Sequence, residues 1–551
     1  MTPSKDSHPA VAPPEPSSAG VTPLEAPPLE APEVLAALAP AAPNSTPSIE
    51  SVLEKRWARL LIPSLSDLFF VAMLGWLFLG PSGNGWAALL ADADAGWHIR
   101  TGEYILDHKT VPYQDLFSFS KPGAPWFAWE WLADVVDAVL FRWAGLKGVV
   151  LATGVMLAIF GTTLVRRMNW RGVHLLLAML VSLLSIGASS IHFLARPHVF
   201  TMLLLSVSVW IIEADRVRTS RRIWLLVPLT AMWTNLHGGF LALIAVLGLT
   251  AVGTGVEVWL GNGRTLRDTL RYLQLTAACA AASLINPYGW NLHVHIAEYL
   301  RSDWIRAAVQ EFQSPVFRDE SMLQFEGLLL TGLLVAAALF RRRQVVEGLW
   351  IVFWAHMALG SVRHVPIFVT VAGPVIAWEV GSWWSRWTAS AKKSSVVGIL
   401  NQMAADAGGA FRRTSLLPWV VVGGLVLLGE PMHWPKDFPA EMFPTQMVHD
   451  NLELISQSRV FTTDQWGDYL IFTNPSQKVF MDGRSDFYGP EIGKDFLRIA
   501  SGHWEWRRLL AKYDLNLVLM ATSEGIVQLL KQDPGWRIVA DDGKQILLVR
   551  R

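Results

Sequence analysis

The chain has 551 residues, of which 52% are hydrophobic and 17% charged, and its 46 basic residues balance 46 acidic ones. A soluble domain carries about a quarter charged residues, so this composition favours a membrane protein. Zero net charge argues against nucleic acid as a partner, because neutralising phosphates needs a basic surplus. The single cysteine, Cys279, excludes a disulfide framework and any site with several thiolate ligands.

The first 50 residues differ in composition from the rest. Residues 1–50 are rich in Pro, Ala, Ser and Glu and contain no long apolar stretch. Such a segment cannot bury enough apolar surface to offset the entropy lost on ordering it. We therefore expect residues 1–50 to form a disordered cytoplasmic tail.

Apolar segments then recur along the chain at lengths close to a membrane span. A helix needs about 20 apolar residues to cross a bilayer, and several of these segments are shorter. We predict about eleven transmembrane helices, near residues 60–80, 148–165, 172–190, 199–213, 223–236, 239–259, 272–285, 322–340, 346–361, 365–384 and 414–429. Residues 129–145 are punctuated by charged side chains, which predicts an amphipathic helix at the membrane interface.

The basic residues of the connections set the orientation. Lys and Arg near the ends of spans stay on the cytoplasmic side of a membrane. With a cytoplasmic N-terminus, basic clusters fall in every second connection, and the three short opposite loops hold only Arg196 and Arg363. We predict a multi-span membrane domain over residues 51–429 with a large first external loop, 81–129.

The last 120 residues or so differ in composition from the membrane domain. Residues 430–551 mix polar and apolar sequence and contain no run long enough for a membrane. Short β-rich segments predict strands at 459–461, 469–472, 478–481, 515–520 and 545–549, with helices near 491–499, 504–513 and 524–532. We predict an extracytoplasmic α/β domain.

Unusual polar residues collect in the external loops of this topology. Ionisable groups at a membrane surface are costly unless they pair or face a wet cavity, so their clustering on one side indicates a site there. A lone Asp or His in a loop is usually only solvated. The candidates in the membrane domain are Asp92, Asp94, His98, Glu130, Arg196, His198, Asn235, His237, Glu311, Arg363 and His364.

Asp94 is the sharpest single candidate, because it places a carboxylate at the membrane–water boundary just after the first span. Transfer of a sugar to a hydroxyl or amine needs a base for the acceptor proton, and a positioned carboxylate can supply it. Partial burial would raise its pKa toward a useful value. Asp92 is the competing candidate, and helix capping or simple solvation is the alternative interpretation.

Arg196 and Arg363 are the candidate phosphate ligands. A guanidinium offers a planar fork to phosphate and keeps its charge at physiological pH. A leaving lipid phosphate would need such a cation. Pairing with a neighbouring carboxylate or a lipid headgroup explains either arginine equally well.

Metal binding has little support in the sequence. The histidines show no His-x3-His or His-Glu-x2-His spacing, and His293-Val294-His295 alone is too weak for zinc. A divalent ion held by Asp94 and Glu311 is conceivable, and no other cofactor is indicated.

Several short motifs resemble a family of bacterial polytopic membrane proteins. They are Asp94-x2-Trp97-His98, Pro125-Trp126-x3-Glu130-Trp131, Arg196-Pro197-His198, Asn235-x-His237-Gly238-Gly239, Asn286-Pro287-Tyr288-Gly289, Glu311-x2-Ser314-Pro315, Arg363-His364-x-Pro366, Trp466-Gly467-x-Tyr469 and Asp482-Gly483-Arg484-x-Asp486-x-Tyr488. That family looks like the GT-C glycosyltransferases, relatives of the protein O-mannosyltransferases, aminoarabinose transferases and oligosaccharyltransferases.

The resemblance implies a polyprenyl-phosphate sugar donor, an envelope glycan, lipid or protein acceptor, and transfer at the outer face of the bacterial cytoplasmic membrane. An acidic residue in the first external loop is essential in that superfamily, and Asp94 occupies the matching place, with Asp92 as its pair. His98, Glu130 and Glu311 would position the sugar or a metal. Related sequences commonly have Trp where this chain has Gly96, so one stacking contact is missing.

The tail motif adds two candidates. Together with Asp486, Arg484 and Tyr488 would line an acceptor groove against the membrane domain, beside the Asp482-Gly483 turn. The alternative to an enzyme is a non-catalytic scaffold that binds a glycan or partner through residues 430–551. A transporter fits less well, because the spans are largely apolar and their polar groups lie at one end.

Overall fold

The computed structural model describes residues 60–80, 84–410, 414–427 and 434–551. The predicted disordered tail, 1–50, lies outside the described residues. Those described belong to one compact unit that begins at Arg56. The predicted boundary near residue 430 therefore stays a prediction.

Helices make up most of the chain before residue 428. The first are Leu65–Leu79 (α1), Trp86–Leu89 (α2), Asp94–His108 (α3), Trp131–Ala144 (α4), Leu146–Trp170 (α5), Leu175–Ser189 (α6), His198–Val217 (α7), Leu226–Thr234 (α8) and Phe240–Trp259 (α9). The next are Leu266–Ala282 (α10), Trp290–Arg301 (α11), Asp303–Ala308 (α12), Glu320–Arg341 (α13), Val345–Gly360 (α14), Val365–Trp387 (α15), Val396–Ala410 (α16) and Leu417–Leu427 (α17).

Six helical segments are long and apolar enough to cross a membrane. They are Leu146–Trp170, Leu175–His192, His198–Val217, Phe240–Trp259, Glu320–Arg341 and Val362–Trp387. Every predicted span overlaps a helix, although 223–236 is a 3₁₀ turn followed by the short α8, and α4 covers the predicted amphipathic segment. The sequence predicted about eleven spans, which is more than the six segments that are long and apolar enough among the described residues.

Local chemistry explains where two of these helices begin or bend. The Ser64 hydroxyl accepts from the Asp67 N–H at 3.1 Å, and the Asp67 carboxylate accepts from the Ser64 N–H at 2.9 Å, which is a capping box at the start of α1. Pro374 inside α15 cannot bond the Thr370 carbonyl. Arg167 Nη1 donates to that carbonyl at 2.6 Å instead.

The C-terminal region combines a small sheet with short helices. The helices are Thr445–Asp450 (α18), Leu452–Ser456 (α19), Asp464–Thr473 (α20), Ser485–Ala500 (α21), Trp506–Lys512 (α22) and Gly525–Leu530 (α23). The strands are Val460–Phe461 (β1), Leu517–Ala521 (β2), Trp536–Asp541 (β3) and Gln545–Arg550 (β4). Their order is β1-β2-β4-β3, with β1 parallel to β2 and the other pairs antiparallel.

Two strand assignments made from the sequence are wrong, and one strand was missed. Residues 469–472 lie in α20, because Thr463 caps that helix and its residues from Trp466 to Phe472 are all buried, so no apolar–polar alternation marks either type of element. Within 478–481 the pairing is a single bridge from Val479 to Ser118, and strand β3 was not predicted.

The C-terminal region packs on the first external loop. Val479 N donates to Phe117 O at 2.9 Å, and Phe119 N donates to Val479 O at 3.0 Å. Helix α20 lies against α3 so closely that a Cβ on Gly96 would stand 2.8 Å from the Asp468 carbonyl oxygen. The missing tryptophan at position 96 therefore has a steric reason.

Candidate active site

One cavity of about 320 Å³ receives side chains from the five loops that were predicted to be external and from the C-terminal region. Most predicted site residues line it: Asp94, His98, Glu130, Arg196, His198, His237, Glu311, Arg363, His364 and Arg484. Asp92, Asn235 and Tyr488 are not among the lining residues. Residues separated by hundreds of positions in sequence thus share one chamber.

Arg196 lies at the centre of an acidic cluster. The turn before α7 holds it, because Ala195 N donates to Leu89 O at 2.7 Å. Its Nη1 is 2.7 Å from Asp92 Oδ2 and 3.0 Å from Glu311 Oε1, and its Nη2 is 2.7 Å from Asp94 Oδ2. Burial favours the neutral form, yet these carboxylates raise the pKa of Arg196 well above its usual value. Both terminal nitrogens are therefore occupied.

Asp94 begins α3 and is 3% exposed. Its backbone N–H donates to Asp92 Oδ1 at 2.9 Å, which fixes the start of the helix. Burial raises the pKa of Asp94 to about 8, although the Arg196 guanidinium opposes the shift. Asp94 thus has the titration range of a general base that works near neutral pH.

Asp468, on α20, is a second buried carboxyl that is hydrogen-bonded to Asp94. Its oxygens accept from Gly483 N at 3.0 and 3.2 Å. A Cβ on Gly483 would stand 2.0 Å from Asp94 Oδ1 and 2.9 Å from Asp468 Oδ2, so only glycine fits between the two acids. Burial raises the pKa of Asp468 well above its ordinary value, which makes Asp468 the proton donor to Asp94.

A chain of imidazoles and carboxyls forms another wall. His98 Nδ1 lies 2.6 Å from Asp134 Oδ1, and its Nε2 lies 3.8 Å from Glu130 Oε2. Burial raises the pKa of Glu130 to about 8 and lowers the pKa of His98, so neutral forms are favoured here. His237 Nδ1 accepts from the Gly239 N–H at 3.0 Å, which leaves its Nε2–H directed at Glu130 Oε1, 3.5 Å away.

The cavity lining also contains polar groups without partners. Arg363 lies in the turn before α15, with its guanidinium carbon 4.5 Å from the centre of the Phe312 ring. Its buried Nη1 has no hydrogen-bond partner among the described residues, and the same holds for both ring nitrogens of His192 and for Trp354 Nε1. Buried donors without partners are costly, so this part of the lining is suited to an anionic ligand.

Other predicted residues are engaged in holding the structure together. Asn235 accepts from Trp131 Nε1 at 2.7 Å and donates to Ile285 O at 2.8 Å, which ties α4 to the segment after α10. His364 Nδ1 lies 3.1 Å from Met357 O, and His198 Nε2 lies 2.5 Å from His192 O. These three side chains position backbone segments around the cavity.

Arg484 and Tyr488 form a buried cluster with two acids. Arg484 Nη2 donates to Asp115 Oδ1 at 2.8 Å and to Asp482 Oδ2 at 2.6 Å. The Tyr488 hydroxyl donates to Asp482 Oδ2 at 2.6 Å. The cluster clamps the C-terminal region onto the loop that was predicted to be the first external one. Arg484 also lines the cavity, and its buried Nη1 has no hydrogen-bond partner among the described residues.

An aromatic wall with a charged pair lies next to this clamp. His295 Nε2 is 2.9 Å from Asp486 Oδ2, and its ring stacks on Phe127 at 4.3 Å between ring centres. The Trp129 ring meets His295 edge to face, with 5.5 Å between ring centres. Flat rings beside a carboxylate suit a polar acceptor with apolar faces.

Asp134, Asp468 and His192 were not among the predicted site residues, whereas Asp486 was expected to line the acceptor groove. Asp134 looked like a polar interruption of an amphipathic helix, and His192 like one solvated loop residue. Asp468 occupies the variable position of the Trp466-Gly467-x-Tyr469 motif, and that motif was the only signal that could have found it.

The predicted divalent ion does not fit the structure as it stands. Between Asp94 and Glu311, the two acids that the sequence suggested as ligands, lies the Arg196 guanidinium. No group of three or more His, Cys, Asp or Glu within residues 60–80, 84–410, 414–427 and 434–551 is arranged to hold a metal.

Comparison with solved structures gives the fold a precedent. The chain is similar to the Archaeoglobus fulgidus oligosaccharyltransferase tethered to an acceptor peptide, at a TM-score of 0.51 and 11% identity, over 88% of this chain and 74% of that chain. The chain has the GT-C fold of that oligosaccharyltransferase. At this identity the likeness extends to the GT-C fold alone, and to that extent the resemblance predicted from sequence is confirmed.

Two further A. fulgidus structures score lower. An apo oligosaccharyltransferase gives a TM-score of 0.48 at 11% identity over 88% of this chain and 74% of that one. The oligosaccharyltransferase AglB in complex with an inhibitory peptide and a dolichol-phosphate gives 0.48 at 10% identity over 85% and 70%. The GT-C assignment depends on the first structure. No protein-family model and no curated protein sequence matches the chain.

Proposed function

We propose that this GT-C chain is a glycosyltransferase that moves a sugar from a polyprenyl-phosphate donor to an envelope glycan, lipid or protein. The observation that carries the proposal is that Asp94 and Arg363 line one cavity, where a buried carboxyl with a raised pKa and a buried, unpartnered guanidinium nitrogen are both present. Transfer needs a base and an anion site on opposite sides of the reacting carbon.

Asp94 is the general base in this proposal. The acceptor oxygen or nitrogen attacks the anomeric carbon, and Asp94 takes the proton that this atom loses. The bond from the anomeric carbon to the phosphate oxygen breaks, and its electron pair leaves with the lipid phosphate. Arg196 and Asp468 orient the Asp94 carboxyl, since both contact its oxygens.

Arg363 receives the departing phosphate. Its Nη1 lacks a partner, whereas both terminal nitrogens of Arg196 lie on carboxylates. Arg484 also has an unpartnered Nη1, but its charge is already matched by Asp115 and Asp482. We therefore assign the phosphate to Arg363 and give Arg196 another role. His192 and Trp354 bring further unpartnered donors to the same cavity.

The sugar and the acceptor take the remaining walls. His98, Glu130 and His237 offer donors and acceptors at the spacing of sugar hydroxyls, with Trp97 stacked on His98 at 3.6 Å between ring centres. The pair of His295 and Asp486, beside Phe127, lies where an acceptor would enter between α11 and the C-terminal region.

The location follows from the loop charges of the sequence. We infer that the chain lies in the bacterial cytoplasmic membrane with its N-terminus inside and residues 430–551 outside. On this arrangement the cavity opens at the outer face, where a lipid-linked donor would present its sugar. The scaffold alternative expects no enclosed cavity around Asp94, so the cavity favours the enzyme.

The test is transfer by the purified full chain in nanodiscs, with radiolabelled polyprenyl-phosphate sugars and membrane acceptors. We expect transfer by the native chain and a loss of about 1,000-fold in Asp94→Asn, because an amide cannot take the acceptor proton. Asp107→Asn is the matched control, since Asp107 pairs with Arg142 on the surface. Undiminished transfer by Asp94→Asn would remove the assigned base.

A further inference from the structure

The acidic cluster around Arg196 has the composition of a cation site. Three carboxylates from two separate loops surround one guanidinium: Asp92 Oδ2 and Glu311 Oε1 lie 2.7 and 3.0 Å from its Nη1, and Asp94 Oδ2 lies 2.7 Å from its Nη2. Hard divalent cations prefer such sets of carboxylate oxygens. Here the point between the carboxylates is filled by a side chain of the same polypeptide.

The charges at this point require a cation at all times. Burial alone would raise the pKa of Glu311, but the charge of Arg196 holds it below its ordinary value. Without the guanidinium, the ionised carboxylates of this cluster would repel each other, and ionisation of Asp94 would add to that repulsion. A guanidinium cannot lose its proton at physiological pH, and it cannot dissociate.

The backbone keeps the arginine in place. Pro197 follows it at the start of α7, and Ala195 N is bonded to Leu89 O. On the acidic side, the Ser361 hydroxyl donates to Glu311 O at 2.7 Å, which fixes the turn that carries Glu311. The cation and its three acids therefore belong to rigid, mutually bonded turns.

We infer that Arg196 is the resident cation of this site: its guanidinium occupies the position between Asp92, Asp94 and Glu311 that a divalent metal would need. Arg196 is a positioning residue, which holds the Asp94 carboxyl toward the cavity without a metal ion. Removing the guanidinium turns the three acids into a metal site. The inference deepens the proposed function, on which it depends only for what Asp94 does.

Simple geometry makes the converted site plausible in size. Carboxylate oxygens bind Mg²⁺ or Mn²⁺ at about 2.1 Å and Ca²⁺ at about 2.4 Å. The oxygens already lie 2.7 to 3.0 Å from the guanidinium nitrogens. The Arg196 side chain is 23% exposed, so an ion can reach the point from the solvent.

The test is a titration of the purified full chain in detergent with Mn²⁺. Electron paramagnetic resonance measures the concentration of the ion that stays free, and the bound amount follows from the difference. We compare the native chain with Arg196→Ala, with Arg196→Met, which keeps the length of the stem, and with Arg196→Ala/Asp92→Asn/Glu311→Gln. We expect one Mn²⁺ per Arg196→Ala chain, bound about 100-fold more tightly than by the native chain, and loss of that binding in the triple variant.

Two results would overturn the inference. One is a native chain that binds one Mn²⁺ and loses it in Asp94→Asn, because the point would then already belong to a metal. The other is a folded Arg196→Ala or Arg196→Met chain that binds no Mn²⁺. If Arg196→Ala does not fold, the native titration and Arg196→Met still decide. Neither readout needs sugar transfer, so a failure of the proposed function would be recognised separately.

A supporting measurement compares sugar transfer by the native chain and by Arg196→Ala. Where transfer is observed, we expect the same rate with and without a chelator such as EDTA. Arg196→Ala should show slower transfer that Mn²⁺ partly restores, whereas a residue that only supports folding would show no rescue by the ion.

Discussion

Buried charges are arranged differently at the two ends of the helical region, the end away from the cavity and the end at the cavity. Away from the cavity, arginines are matched with acids: Arg167 lies 2.6 Å from Glu213, and Arg271 lies 2.9 Å from Asp215. At the cavity, buried acids outnumber the cations. A matched pair holds helices together, whereas an excess of acids leaves protons that can be moved.

The contrast is clearest in how each end uses its arginines. Arg167 makes a two-pronged contact with Glu213 and donates to the Thr370 carbonyl that Pro374 leaves free. Every nitrogen of its guanidinium has a partner. Arg363 keeps a buried nitrogen without one among the residues that the structure describes. Arg167 is therefore part of the scaffold, whereas the unpartnered nitrogen of Arg363 can bind a ligand.

The largest effect is expected from removing an ion pair at the end away from the cavity, where arginines and acids are matched. Arg167→Met leaves the Glu213 carboxylate in the core with only Arg171, at 3.3 Å, as a partner. Breaking a buried ion pair costs about 3–5 kcal/mol of unfolding free energy. We expect a clearly lower midpoint of thermal unfolding in detergent.

The matched control for that variant is Arg142→Met, which breaks an exposed pair with Asp107. We expect its unfolding midpoint to equal that of the native chain, because exposed pairs contribute little. Equal stability of Arg167→Met and Arg142→Met would contradict the view that the first pair is structural.

The next effect concerns the unmatched arginine. Arg363→Met removes the proposed phosphate ligand while keeping an apolar stem over Phe312. We expect the KM for the lipid-phosphate donor to rise about 10- to 100-fold, since a charge-assisted hydrogen bond contributes about 1.5–3 kcal/mol. Steady-state transfer at varied donor concentration measures it.

The specific control is the acceptor. Its KM should not change in Arg363→Met, because the His295–Asp486 pair lies on another wall. A rise in the acceptor KM with an unchanged donor KM would place the phosphate elsewhere.

How far the sequence predicts this molecule depends on the range of the interactions. The helices follow from long apolar runs, and loop charge alone brought Asp94, Arg196, Glu311 and Arg363 to one side. Which partner each of these residues meets depends on tertiary contacts. The pairing of Arg196 with acids and the freedom of Arg363 follow from packing between loops more than 100 residues apart, as with Arg196 and Asp92.

The same limit explains the residues that were missed. Asp468 reaches Asp94 because Gly96 and Gly483 let α20 approach α3, and neither glycine reveals this in isolation. The segment 469–472 was predicted as a strand since a short, wholly buried apolar run has no period that separates strand from helix. Tertiary packing decided both cases.

The smallest expected effect is a shift in the pH profile of transfer, which we expect from a variant at the cavity but not from one at the matched end. Asp94 must be ionised to take a proton, and burial raises its pKa to about 8. We therefore expect kcat/KM to fall about tenfold per pH unit below pH 8 and to level off above it.

Asp92 raises the pKa of Asp94 by like-charge repulsion. In Asp92→Asn the bend in the profile should move to lower pH, because that repulsion is gone and Arg196 has one acid fewer to neutralise. Glu213→Gln, at the matched end, should leave the bend where it is. A profile that Asp92→Asn does not move, or that Glu213→Gln does, would mean that another group sets the pH dependence.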